Sequence, residues 1–176
     1  MHAHYSLHAA GRGGSGYGER STSVLDEIDI TGATRTAACV LFTGGVEARS
    51  LAERIHRESG WGWGPFTAID CRSPQAVLDE SLFDPLESDL WPVDSSVPIL
   101  RLLQPGTMFL EEVGRLGRGS QARLRDLLEL AANERQGRRS RRRIMASSSE
   151  SLVRRAADGT FDETLFYRLN ALHFVL

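Results

Sequence analysis

The sequence predicts a three-layer α/β domain with a five-stranded, mainly parallel sheet, and three observations carry that prediction. Short apolar runs of strand length alternate with amphipathic segments of helix length over most of the chain. The strand-type runs, such as "AACVLFTG" and "GTMFLEEV", are apolar without alternation, which suits parallel strands buried on both faces. Polar groups follow three of these runs, at Thr43-Gly44-Gly45, Glu111-Glu112 and Ser147-Ser148-Ser149. Open α/β sheets bind their ligands beyond such strand ends.

The elements follow in order. Residues 1–20 are glycine-rich and aperiodic, so they read as a flexible tail, with "GRGGSG" as linker; residues 21–176 form the domain. A short helix is expected over "STSVLDEIDITG", capped by Ser21 or Thr22, with Val24, Leu25 and Ile28 inward. "AACVLFTG" is the first strand. The segment "EARSLAERIHRES" places Ala48, Leu51, Ala52 and Ile55 on one helical face. "PFTAIDC" is the second strand, and "SPQAVLDESLF" a helix with Ser73 as cap and Pro74 at its first position. Pro85 to Pro98 is an irregular loop with three prolines. "GTMFLEEV" is the third strand, running into two carboxylates, and "SQARLRDLLELAANE" a helix capped by Ser120. The run from Arg135 to Arg143 reads as a solvated basic loop. "RRIMASS" is the fourth strand, "DETLFYRL" a short helix and "ALHFVL" the fifth strand. Trp61 and Trp63 in "GWGWG" are expected to pack on the domain.

Composition narrows the function. A chain of 176 residues can bury a real core, and a net charge of -2 argues neither for nor against nucleic acid. All 21 strongly basic residues are arginine, so chemistry that needs a lysine ammonium is excluded. Cys39 and Cys71 sit in apolar runs and read as buried, reduced thiols. No apolar run approaches the roughly 20 residues of a membrane span, and a cytoplasmic protein is expected.

Taken together, several segments resemble one family. "VLFTG" resembles a strand entering a Walker A loop, and "GTMFLEEVGRL" a Walker B segment. "SQARLRDLL" is similar to the helix after it, "RRIMASSSESL" to a sensor strand, and "GTFDETLFYRLNALHFVL" to a segment carrying arginine fingers. Their order and spacing resemble the AAA+ core of bacterial enhancer-binding proteins, the ATPases that activate sigma-54 RNA polymerase, from about Thr34 to Leu176. The resemblance implies a Rossmann-like P-loop NTPase fold. It also implies roles. Thr43, Gly44 and Gly45 would be Walker A remnants, Glu111 and Glu112 the Walker B aspartate and catalytic glutamate positions, Ser148 the sensor, and Arg168 one finger.

The departures from the family pattern point elsewhere. A Walker A loop needs G-x-x-x-x-G-K-[ST] to wrap phosphates with backbone N–H groups and to reach them with lysine. Here the lysine position falls on Ala48, the loop is about two residues short of that pattern, and Glu47 adds a repulsive charge. Arg49 is the nearby cation, off register. Asp162 stands where the second finger would be. In the loop from Pro85 to Pro98, Ser88 to Val93 replace the family's sigma-54-contacting GAFTGA motif, leaving Leu90 and Trp91 as candidate partner anchors. Neither the family's helical lid nor its helix-turn-helix is recognisable, so direct DNA binding is not expected.

The expectation is therefore a degenerate sigma-54-interaction module. It would act without cofactor or metal, through a protein partner such as a sigma-54 activator or another transcription regulator. The alternative is an ATP-binding activator domain with an atypical Walker A loop, using ATP and magnesium. A third reading is a scaffold piece of a longer polypeptide.

Overall fold

The computed structural model describes residues 30–84, 106–133 and 142–176. Five strands form one parallel sheet: β1 (Val40–Thr43), β2 (Phe66–Asp70), β3 (Gly106–Glu111), β4 (Arg142–Ser148) and β5 (Leu172–Val175). Their order is β2-β3-β4-β1-β5, so β1 lies inside the sheet with β4 and β5 as neighbours. The register sets Thr43 beside Ser148 on one side and beside Val175 on the other.

Helices cover both faces. Residues 30–34 are helical (α1), and α2 (Ala48–Arg57) packs with them over Val40, Phe42, Phe109 and Met145. The opposite face carries α3 (Gln75–Leu78, continued by a π-turn over Asp79–Phe83), α4 (Arg118–Asn133), α5 (Leu152–Ala157) and α6 (Glu163–Leu169). There Leu41, Met108, Leu110, Ile144 and Ala146 meet Leu82, Phe83, Leu124, Leu152 and Leu165. Side chains alternate along a strand, so Val40 and Phe42 serve one core and Leu41 the other. This two-sided burial is why the strands read as unbroken apolar runs. After β1 the chain crosses on the α2 face, and after β4 it returns on the α5–α6 face. The crevice between β1 and β4 is thus the topological switch point, where such sheets place ligands.

Several expectations need correction. Pro74, not Ser73, occupies the cap position of α3, and no side chain caps it. Ser120 lies within α4, which starts at Arg118; its hydroxyl donates to Gln75 Oε1 at 2.6 Å, tying α4 to α3. Helix α5 is an addition, and its cap is Ser151, whose Oγ accepts from Arg154 N. Trp63 is 90% exposed, against the expectation of packing. The close approach of Gly62 to the end of α2 turns the loop there: a Cβ would stand 2.8 Å from Arg57 O. Arg143 belongs to β4 and is fully buried, so the basic run is no uniform solvated loop. Cys71 is buried but Cys39 only partly, and both are free thiols. The caps and inward residues expected for residues 21–29, the loop carrying Leu90 and Trp91, and Arg135 to Arg141 in the basic run lie outside the described residues. No described helix is long and apolar enough to cross a membrane.

Candidate functional site at the carboxyl edge of the sheet

The turn after β1 decides what the edge can hold. Gly44 has φ +88, a backbone conformation that L side chains rarely adopt. A Cβ on Gly44 would stand 2.5 Å from Leu176 O, and one on Gly45 would stand 2.8 Å from Leu176 Cβ. Leu176 N in turn donates to Thr43 O at 2.8 Å. The residue after β5 is therefore laid directly against the glycine turn. Glu47 occupies the cap position of α2 without a side-chain cap bond, and Ala48 begins the helix, 7% exposed, in the α1–α2 core.

Arg49 reaches across the edge. Its Nε lies 3.2 Å from Glu53 Oε1, and its Nη1 lies 3.4 Å from Glu111 Oε1, joining α2 to the end of β3. Both partners are partly solvated, and such a pair contributes about 0–1 kcal/mol. Its interest is chemical: Arg49, one residue into the helix that follows the glycine turn, faces two carboxylates. Glu112 follows at φ 54 and ψ 47, a left-handed conformation unusual for glutamate. Its carboxylate accepts from Ser149 N at 3.2 Å and from Ser149 Oγ at 2.9 Å.

The remaining expected residues fall around this centre. Ser148 is buried beside Thr43, and its hydroxyl donates to Glu150 O at 2.8 Å. Arg168 sits on α6, pairs with Glu129 of α4 at 3.5 Å, and keeps a buried Nε with no hydrogen-bond partner among the described residues. Asp162 caps α6 by accepting from Leu165 N at 2.8 Å and holds Arg125 at 2.7 Å. The fold thus brings Thr43, Gly44, Gly45, Arg49, Glu111, Glu112 and Ser148 to one edge, while Arg168 is engaged on the helical layer.

Sequence reasoning missed three participants. Asp70, register partner of Glu111, accepts from Arg72 N, Nε and Nη2 at 2.8–2.9 Å, and these bonds hold its pKa below the ordinary carboxylate value. The local D-x-R spacing after the second strand could have signalled it. Glu150 accepts from Arg115 at 2.7 Å and Arg155 at 3.1 Å. His173 Nε2 lies 2.7 Å from Thr43 Oγ1, and burial lowers its pKa from 6.5. Among the described residues no cluster of three or more His, Cys, Asp or Glu is placed to hold a metal ion.

Comparisons with known proteins identify the family. Residues 16–175 match the family described as the sigma-54 interaction domain. The chain is 33% identical over 143 residues to the nitrogen fixation protein VnfA of Azotobacter vinelandii, covering 78% of this chain and 27% of that protein. It is 31% identical over 147 residues to the regulatory protein AtoC of Escherichia coli, covering 79% of this chain and 32% of the relative. The chain therefore spans about a third or less of these relatives' length. Among solved structures it is similar in fold to the P-loop NTPase domain of a sigma-54 activator from E. coli, with TM-score 0.55 and 20% identity, covering 80% of this chain and 98% of that one. NtrX from Brucella abortus, solved with ATP, aligns at TM-score 0.63 and 22% identity over 88% of this chain and 36% of the other.

Proposed function

Because this chain belongs to the family of sigma-54 interaction domains, we propose that it is a degenerate member that regulates transcription through protein contacts and without ATP hydrolysis. The observation that carries this reading is the turn after β1. Its exposed glycines have Leu176 against one side, the lysine position is a core-packed alanine, and Arg49 lies on Glu111. A triphosphate needs a ring of backbone N–H groups around an open turn and a lysine reaching the β- and γ-phosphates. The residues present do not fit that ligand. Glu47 and Glu111 would also oppose a phosphate entering the space.

The natural partner for such a module is a surface shaped for this fold, the AAA+ domain of a complete sigma-54 activator. Contact there would alter how activator subunits assemble. Leu90 and Trp91 are the partner anchors in this reading. The alternative, an ATP-binding activator domain with an arginine-based loop, draws on Glu111 and Glu112. The bonds from Arg49 to Glu111 and from Ser149 to Glu112 weigh against it.

Titration calorimetry with ATP and magnesium tests the proposal. No saturable heat is expected at millimolar nucleotide, and micromolar binding would sink the non-catalytic reading. Size-exclusion titration against sigma-54 activators from the same cell tests the partner, and absence of any complex would count against it.

A further inference from the structure

A cavity of about 240 Å³ opens at the carboxyl ends of β1, β4 and β5. It lies on the α5–α6 face, whereas Arg49 and Ala48 belong to the α2 side of the edge. Leu41, Leu152, Val153 and Phe166 supply apolar walls. Thr43 and His173 supply a polar end, joined at 2.7 Å between Oγ1 and Nε2. The position is the switch point between β1 and β4.

Charge and size then restrict the occupant. Glu150 borders the cavity, but both its carboxylate oxygens are matched, by Arg115 and Arg155. Burial keeps the His173 ring neutral at pH 7. Among the described residues that line the cavity no unpaired charge is left for an ionic ligand, and an ion would lose hydration without replacement. The neutral hydroxyl–imidazole pair shares one proton and retains capacity for further hydrogen bonding. An apolar cavity of roughly 150 Å³ is enough to hold benzene, so this one admits one ring or two fused rings.

We propose that the cavity binds a neutral one- or two-ring aromatic compound with a single hydroxyl or N–H group, of the phenol or indole class. The ring lies among Leu41, Leu152 and Phe166, and the polar group meets the Thr43–His173 pair. The site needs neither nucleotide nor metal, so it goes beyond the reading above and stands or falls separately.

Phenol and indole titrated into the protein, followed by heteronuclear amide spectra, test it. Saturable shifts are expected at residues lining the cavity, with benzoate and benzylammonium at least about tenfold weaker, since each brings an unpaired charge. Val153→Trp, at an exposed position on the mouth, should abolish the shifts. His173→Phe should erase the preference of phenol over benzene. Shifts linear in concentration, equal for the charged analogues, or persisting in a folded V153W protein would each overturn the proposal. Should V153W lose the native spectrum, the phenol-to-benzene ratio in H173F decides alone. ATP binding by calorimetry would refute the non-catalytic reading and leave this one intact.

Discussion

Replacing Arg143 by methionine is expected to leave the fold nearly as stable, because this arginine is buried at a cost that its contacts only balance. Arg143 is 2% exposed at the start of β4. Burial pushes its pKa from 12.5 down to about 10. At about 1.4 kcal/mol per pH unit, that drop is on the order of 3 kcal/mol against the charged form. The compensations are a hydrogen bond from Nη2 to Ala33 O at 2.5 Å and the Trp61 ring 5.5 Å away. A charged hydrogen bond contributes about 2 kcal/mol and a cation–π contact about 1 kcal/mol. Nε and Nη1 have no hydrogen-bond partner among the described residues. The sum is close to zero, so a side chain of similar length without charge loses little. R143M should unfold within about 1 kcal/mol of the parent, a change of at most about 4 °C in Tm for a domain of this size. R143A leaves a void and should lose about 3 kcal/mol, or roughly 9 °C. Thermal and urea denaturation of both variants measure the difference. A loss of 3–5 kcal/mol in R143M would refute the reasoning, since that is the signature of breaking a buried ion pair.

Three further outcomes follow from the same geometry. Burial lowers the pKa of both His56 and His173 from 6.5, so the unfolded chain takes up protons first as pH falls. Their neutral forms cost nothing above pH 6.5; below it stability should decline until the folded values are passed, whereas Asp70, held below 3.8, contributes a loss only in stronger acid. Urea midpoints that are equal at neutral pH and pH 5.5 would contradict this. Gly44→Ala forces a Cβ into a left-handed turn and against Leu176 O, so a loss of at least about 1 kcal/mol is expected in denaturant titration. Ala48→Lys alone should give no ATP binding by calorimetry, because Leu176 stays against the turn and Glu47 and Glu111 still oppose a phosphate; saturable binding in that variant would mean that the absent lysine alone keeps ATP out.

How far the sequence reached depends on the range of the interactions involved. The strands were legible because burial on both faces makes them apolar throughout, and Arg142–Ser148 coincides with the segment "RRIMASS". Boundaries set by tertiary contact were not. Ser120 resembles a cap, yet its hydroxyl serves Gln75 on another helix. Helix α5 hides behind a serine run, because only Leu152 of its residues is buried. The arginine run conceals Arg143, since a charge run usually marks solvent and only the fold places Ala33 and Trp61 around this one member.

At the site, residue types were legible and pairings were not. Nothing local links Arg49 to Glu111, 62 positions apart, or lays Leu176 on Gly44. The composition nevertheless held a clue to the kind of pairing. A chain whose only strong cations are arginines has planar forks where lysine would offer point charges. A fork can hold two groups at once, as Arg49 holds Glu53 and Glu111, and as Arg72 holds both oxygens of Asp70. Lysine at position 49 would meet them with a single ammonium centre in place of a planar fork. Carboxylates at this edge of the sheet thus face arginine forks of the protein itself.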